Sequence, residues 1–320
     1  MIVITGGAGF IGSCIVSRLN ALGRYDLIVV DHWNDLKKNN LKDKKFLQYF
    51  DKKEFLDVLR NDKVDDKVQC IIHMGAESST TLNDERYFTE NNFDYSCHVA
   101  RWALKNRARL IYASSAATYG DGSLGYKDDE DSIPLLKPLN LYGQSKQKFD
   151  EWVLEHKAFD KVVGLKFFNV FGPNEYHKGD MQSVVAKSYQ RLMRDGKMAL
   201  FKSYHPQYSD GEQRRDFIYI KDAVDIMMYF FDHPQINGLF NVGSGLARSW
   251  NDLARALFKA VNKPAVIEYI EMPQTLKPRY QYFTRAEIEK LKNVGYTKPF
   301  TPLEDAVKDY VGYLKDHRYL

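Results

Sequence analysis

Cysteine is scarce in this chain. Cys14, Cys70 and Cys97 are scattered and odd in number, which argues against a disulfide framework and suits a reducing cytoplasm. No apolar run is long enough to span a bilayer. Neither sign of charge dominates: 46 Lys and Arg stand against 42 Asp and Glu, a net charge of +4, which leaves no electrostatic footprint for a nucleic-acid partner. Internal repeats and low-complexity linkers are missing. The N-terminal residues read as a strand rather than a secretory leader, and no metal is expected.

The 320 residues are enough for one large or two modest domains with a real core. Aromatics make up 14% of the chain, which fits stacking on bases or sugars and fits a Tyr-rich core equally well.

The apolar stretch 2–5 leads into Gly6-Gly7-Ala8-Gly9-Phe10-Ile11-Gly12, and a helical pattern follows through Ile15, Val16 and Leu19. Glycines at such spacing permit a tight turn and let backbone N–H groups approach a pyrophosphate at a helix N-terminus. A glycine triplet alone is weak evidence. Here a strand precedes it, a helix follows, and a second strand, 27–31, ends in Asp31 at about the twenty-residue distance where an acid holds the adenosine ribose. Asp31 favours a ribose 2′-OH and hence NAD. Lys37, Lys38 and Lys52, the last after the third strand region, could instead accommodate the 2′-phosphate of NADP.

Tyr142 and Lys146 lie four residues apart, so on a helix they share one face. A free Tyr titrates near ~10, too high for a base at neutral pH. A nearby cation favours the phenolate, so the pair reads as a tuned acid/base beside a nicotinamide.

Strands expected at 2–5, 27–31, 69–74, 109–114 and 162–168 alternate with helices, including ones near 90–106 and 142–156. Such alternation implies right-handed crossovers and an α/β fold, a Rossmann-type doubly wound parallel sheet with its ligand at the carboxyl ends of the strands. The second half is less regular and ends in an amphipathic helix at about 302–316. The expected organisation is a cofactor domain over 1–170, with a return strand and helix near 214–245, and a smaller, mainly C-terminal substrate-binding domain over 171–320.

The glycine loop, Asn91-Asn92, the 114–120 segment Ser-Ser-Ala-Ala-Thr-Tyr-Gly, Tyr142-x-x-x-Lys146 and Arg215-Asp216-Phe217 are spread over nearly the whole chain. On these motifs it resembles the extended short-chain dehydrogenase/reductases that act on nucleotide sugars. Three longer segments narrow the resemblance: the run from His73 to Thr81, Phe168-Asn169-Val170-Phe171-Gly172-Pro173-x-Glu175-x-His177-Lys178-Gly179, and the run from Leu276 to Thr284. They look most like the branch of that family that epimerises an ADP-heptose at C6.

The resemblance implies a mechanism of transient oxidation to a ketone and return of the hydride to the opposite face, with Tyr142, Ser115 and Lys146 as catalytic residues. A flipped hydroxyl moves beyond reach of one base, so a second is expected, and Lys178 is the candidate. On residues alone, a pyrophosphate-binding or surface lysine is the alternative, and His177 beside it reads as structural. Cofactor contacts are implied for Gly6, Gly9, Phe10, Ile11 and Gly12 in the loop. Asp31 and His32, with Lys38 and Lys52, are implied at the adenosine end. The Met74-Gly75-Ala76-Glu77-Ser78 turn, Asn91, Lys146 and Val170 would complete the set. The sugar nucleotide would meet Ser115, Asn169, Asp180, Lys187, Phe201, Arg215 and Tyr280.

Also implied are one tightly bound NADP per subunit (NAD being possible), a small-molecule nucleotide sugar as partner, and a homo-oligomer making lipopolysaccharide precursors. No nucleic acid or membrane is involved. The chain departs from the family pattern at Met74, where Glu is expected, at Lys187, where a substrate-contacting His is expected, and in longer loops at 121–133 and 203–214. The rival functions are another nucleotide-sugar epimerase, such as one acting at C4 of UDP-galactose, a 4,6-dehydratase and a non-catalytic NAD(P) sensor. A dehydratase would need a carboxylate pair where Ala116-Ala117-Thr118 stands, and sensors generally lose the Tyr or Lys retained here.

Overall fold

The computed structural model describes residues 1–65 and 67–320. The first six strands are β1 (Ile2–Thr5), β2 (Leu27–Asp31), β3 (Gln48–Asp51), β4 (Cys70–His73), β5 (Arg109–Ser115) and β6 (Val162–Phe167). They are followed by β7 (Asn169–Phe171), β8 (Met198–Phe201), β9 (Arg214–Tyr219), β10 (Gly238–Val242), β11 (Ala247–Ser249) and β12 (Ile267–Ile270). The central sheet has the order β10-β6-β5-β4-β1-β2-β3, and every pairing in it is parallel. This is the doubly wound α/β architecture expected from the strand–helix alternation, and β10 is the strand that returns from the second half.

Alternate strand residues supply the two faces of the sheet. Ile2, Ile4, Leu27, Val29 and Ile72 belong to one buried cluster, and Val3, Ile28, Val30 and Ile71 to another. Each fully buried side chain of this size contributes roughly 1.5–3 kcal/mol of transfer free energy.

The helices in chain order are α1 (Phe10–Ala21), α2 (Lys52–Arg60), α3 (Glu85–Phe88), α4 (Tyr95–Lys105) and α5 (Leu141–Glu155). After them come α6 (Val184–Asp195), α7 (Ile220–Asp232), α8 (Trp250–Ala260), α9 (Glu289–Asn293) and α10 (Leu303–Asp316). Helices α1 and α7 cover the first face, with Ile15, Leu19 and Ile226 in its cluster. Helices α2, α4 and α5 cover the other through Phe55, Val99 and Trp152. Local signals start several of them. Asp51 and Glu54 form a capping box on α2, Asn140 accepts from Gly143 N at the head of α5, and Ser249 and Asp252 box α8.

The helix expected over 90–106 differs from what forms. It begins at Glu85 and passes through a π-helical turn, Thr89–Asp94, before α4 continues. Two small sheets lie outside the main one: β9 between β7 and β11, and β8 paired with β12.

The 121–133 loop lies along the outer side of β10. Glu130 Oε1 accepts from Leu239 N at 2.9 Å, and Asp128 Oδ2 accepts from Asn241 N at 2.8 Å. Asn241 Nδ2 donates to Tyr126 O at 2.7 Å, so the loop is bound at several points.

Candidate active site

The chain winds outward from β1 to β3 and then restarts at β4 on the other side of β1. A crevice opens at that switch point, where open α/β sheets bind ligands. Gly6 has φ +65° and faces Gly75 so closely that a Cβ on it would lie 2.7 Å from the Gly75 Cα. A Cβ on Gly12 would lie 2.2 Å from the Gly6 carbonyl oxygen, so only glycine lets α1 start so near the loop. No side chain caps α1 at Gly9. Its first amides are therefore free for an anionic ligand, as a dinucleotide pyrophosphate requires.

Asp31 is buried at the end of β2. Its carboxylate accepts from Ala8 N at 3.0 Å, His32 N at 2.7 Å and Lys37 Nζ at 2.8 Å. It thus ties the glycine loop to the strand that would carry the ribose. Lys52 donates to Asn91 Oδ1 at 2.6 Å, and burial lowers its pKa. Lys37 and Lys52 both line the cavity here, whereas Lys38 is exposed and lies off its wall.

The opposite wall is the 74–78 turn. Asn92 holds it by accepting from Glu77 N at 2.8 Å and donating to Glu77 O at 2.9 Å, and the same Nδ2 reaches Ser145 Oγ at 2.9 Å. The π-helical turn brings this about: Asn91 meets Lys52 and its neighbour Asn92 meets Glu77. Such turns recur at functional sites.

Ser115 ends β5, and Tyr142 and Lys146 stand on the first turns of α5. All three line the cavity. Lys146 is buried and donates to Ala113 O at 2.8 Å. Burial pushes its pKa down to about 8, with Asp150 opposing. The expected lowering of Tyr142 by Lys146 is absent among the described groups. Burial is the largest influence and raises the phenol above its ordinary value, and only the Ser115 hydroxyl works against it. Stripping water from the phenolate outweighs the favourable contacts.

Beneath these residues, Asp150 accepts from Tyr112 OH at 2.9 Å and Ser114 Oγ at 2.6 Å, and Lys166 Nζ lies 3.4 Å away. Both charges are almost wholly buried, and Lys166 also donates to Thr118 Oγ1 at 2.7 Å. Residues 112–114 of β5 are thereby bolted to α5. Tyr119 is buried, with its hydroxyl on Asn241 Oδ1 at 2.7 Å, so it packs rather than facing a ligand.

Lys178 comes from the turn Tyr176–Met181. It lines the same cavity, with Nζ 5.3 Å from the centre of the Phe10 ring. Burial lowers its pKa, Glu175 opposes this, and Lys187 adds to it from a distance. Glu175 is fully buried and accepts from Ser183 Oγ at 2.6 Å and Ser183 N at 2.5 Å, which fixes the turn to the head of α6. His177 also lines the cavity, with its pKa pushed down to about 4 by burial and by Lys37 and Lys178.

Asn169 and Val170 face the cavity from β7. Asp180 and Lys187 are exposed and off its wall, and Phe201 lies in β8 away from it. Arg215 and Tyr280 stand behind the wall. The Arg215 guanidinium lies 5.0 Å from the Tyr280 ring and 5.8 Å from Trp250, and Trp250 Nε1 donates to Tyr280 OH at 2.9 Å. Trp250 and Phe217 form the wall in front of them. Phe217, Gln281 and Thr284 lie within motifs noticed in the sequence, but Trp250 carried no signal there. Asp216, fully buried, accepts from Ser244 N, Gly245 N and Ala286 N at 2.7, 2.9 and 2.9 Å and so anchors this side.

The cavity measures about 790 Å³, within the range of roughly 300–1,000 Å³ usual for ligand sites. Among the described residues, no group of three or more His, Cys, Asp or Glu could hold a metal, and no helix is long and apolar enough to cross a membrane.

Comparison with known proteins agrees with this geometry. An ADP-L-glycero-D-manno-heptose-6-epimerase of Nitratidesulfovibrio vulgaris is 48% identical over 312 residues, 97% of each chain. One from Fusobacterium nucleatum is 44% identical over the full length of both. The crystal structure of the Helicobacter pylori ADP-L-glycero-D-manno-heptose-6-epimerase superposes with a TM-score of 0.81 at 29% identity, covering 98% of this chain and 96% of that one. Residues 2–243 match the model of the NAD dependent epimerase/dehydratase family. The chain belongs to that family, and within it to the group of the ADP-L-glycero-D-manno-heptose-6-epimerases.

Proposed function

We infer that the protein interconverts ADP-D-glycero-D-manno-heptose and ADP-L-glycero-D-manno-heptose at C6, by oxidation to a ketone and re-reduction from the opposite face. The observation that carries this is the presence of two proton-transfer groups, Tyr142 and Lys178, on unconnected segments of one cavity.

A bound nicotinamide supplies reversible hydride transfer with no net redox. In one orientation of the sugar, Tyr142 takes the C6 hydroxyl proton while Ser115 hydrogen-bonds the oxygen. As the C=O bond forms, the C6 hydrogen would leave with its electron pair as hydride, and the same hydride would return to the other face of C6 when the ketone is re-reduced. After the ketone turns over, Lys178 gives its proton to the oxygen in the other orientation. Lys178 can hold or release that proton because burial has already weakened its grip on it. The opposite reaction direction uses the same groups in reverse order.

The glycine cradle and Asp31 fit a dinucleotide. Lys37 and Lys52 at the same end favour NADP over NAD, since each can donate to a phosphate. Arg215, buried among aromatic rings behind Trp250, and Tyr280 belong to the side that would take the sugar nucleotide. In domain terms, residues 1–170 with the returning α7 and β10 hold the cofactor, and 171–320 supply most of the substrate side. The three free cysteines are all buried, in keeping with work in the cytoplasm on lipopolysaccharide precursors.

The test is incubation with ADP-D-glycero-D-manno-heptose and no added cofactor, followed by resolution of the C6 epimers, with UDP-galactose as control substrate. The expected result is epimerisation of the heptose alone. Turnover of UDP-galactose in place of the heptose would overturn the assignment.

A further inference from the structure

Asn174 precedes Lys178 by one turn of chain. It sits in a left-handed conformation, φ +76°, and its side chain is fully buried. Asparagine tolerates that backbone better than most residues, and here the side chain is also fully used. Nδ2 donates to Ser13 Oγ on α1 at 3.0 Å and to Leu320 O at 3.3 Å, while Oδ1 accepts from Leu320 N at 2.8 Å. The Asn174 carbonyl accepts from Asn40 Nδ2 at 3.1 Å. Asn40 is also fully buried, and the same Nδ2 lies 3.0 Å from Ala8 O in the glycine loop and 3.2 Å from His177 Nδ1.

Residues 317–320 close the arrangement from outside. Tyr176 OH donates to Arg318 O at 2.9 Å, and the Tyr176 ring packs against Tyr319 edge-on at 5.0 Å. Lys44 Nζ donates to Leu320 O at 2.5 Å. The glycine loop, the 35–44 segment, the Lys178 turn and the tail therefore meet at two buried asparagines. Neither asparagine lines the cavity.

Glu175 and Ser183 tie the turn to the head of α6, and Gln182 Nε2 donates to Tyr176 O at 2.7 Å, but these bonds do not tie it to the glycine loop. Gly179 has φ +51° with open space around it, and Lys178 carries its amine on a flexible four-carbon stem. Proton transfer demands hydrogen-bond distance, and a misplacement of about 1 Å costs on the order of 100-fold in rate.

We propose that Asn174 and Asn40, closed by Arg318–Leu320, are positioning residues that hold the Lys178 turn in register with the glycine loop. This rests on Lys178 as the second base. Cofactor and sugar are then presented to Tyr142 and Lys178 from one rigid frame, although the two groups come from distant parts of the chain.

Asn174→Gly keeps the left-handed backbone and deletes only the side chain, and Tyr319→Ala tests the same clasp from the surface should the first variant fold poorly. The measurements are kcat and KM for ADP-heptose, cofactor retained after gel filtration, and hydrogen exchange of the amides from Tyr176 to Ser183. The expected result is a kcat reduced by about 10- to 100-fold, with KM and retained cofactor little changed and exchange in that segment faster. Unchanged kcat and exchange in both variants would overturn the proposal, as would a loss of kcat matched by loss of cofactor. Lys178→Met runs in parallel. Near-normal turnover there removes the second base, whereas slow exchange in Asn174→Gly removes the clasp, so the two failures are separable.

Discussion

Lys146 donates to the carbonyl of Ala113 at 2.8 Å, which anchors the amine one turn beyond Tyr142 to strand β5. One of its three donors is thereby spent, and two remain on the side of the cavity that Lys146 lines. Burial raises Tyr142 above its ordinary value, and the Ser115 hydroxyl works against it.

Tyr142→Phe removes the hydroxyl proposed as proton acceptor and leaves the ring in place. Turnover is expected to fall by about 10²- to 10⁴-fold, with the cofactor still bound. Steady-state epimerisation and the absorbance of released cofactor check both statements.

Lys178→Met keeps a flexible side chain and removes the amine that lies over the Phe10 ring. A loss comparable to that of Tyr142→Phe is expected. Turnover near that of the unaltered protein would sink the two-base mechanism.

Asp150→Asn leaves Lys166 buried without its counter-charge. The expected cost is about 3–5 kcal/mol of stability. Adding Lys166→Met should restore most of it, because an apolar side chain needs no partner there. Urea unfolding of the single and double variants decides this, and equal stabilities for the two would contradict it.

His73 is buried between Thr5 and Ser96, and burial holds its pKa down to about 3 against an ordinary 6.5. Below pH 6.5 the unfolded chain binds a proton that the folded one refuses until near pH 3. Folded stability therefore falls as pH drops through that window, by up to about 1.4 kcal/mol per pH unit. Between pH 7 and 5, His73→Gln should lose about 2 kcal/mol less than the unaltered protein. Buried Asp128, Asp216 and Glu175 have raised pKa values and act in the opposite direction, but equally in both proteins.

Lys37→Ala and Lys52→Ala should each weaken NADP by about 10- to 100-fold, the worth of a charge-assisted hydrogen bond, and change NAD far less. Titration of cofactor-stripped protein with the two dinucleotides gives the ratio. An unchanged ratio would place the 2′-phosphate elsewhere.

Much of this molecule is legible before folding. Strand–helix alternation locates β1, β2, β4, β5 and β6 because their burial on both faces leaves largely apolar runs, even with Lys166 inside β6. The glycine spacing and the Tyr–Lys interval are local, so they survive translation into structure unchanged. What cannot be read depends on rotation or distance. Lys37 rather than Lys38 faces Asp31 because the segment Asp35–Leu41 is a 3₁₀ helix, where neighbours point about 120° apart. The π-helical turn at Thr89–Asp94 has no sequence signature of its own. Trp250 reaches the cavity only through contacts between elements remote in sequence, and Asp150 meets Lys166 only because α5 packs back across the sheet that β6 joins.

The loop along β10 has a consequence beyond catalysis. A strand at the margin of a sheet is a template on which another molecule's strand can add. Here the outward amides of Leu239 and Asn241 are already taken by Glu130 and Asp128. Carboxylates accept hydrogen bonds and offer none in return, and Lys290 holds Glu130 in place at 2.7 Å, so an incoming strand finds these amides already occupied. The 121–133 loop thus shields one side of the sheet from edge-to-edge aggregation.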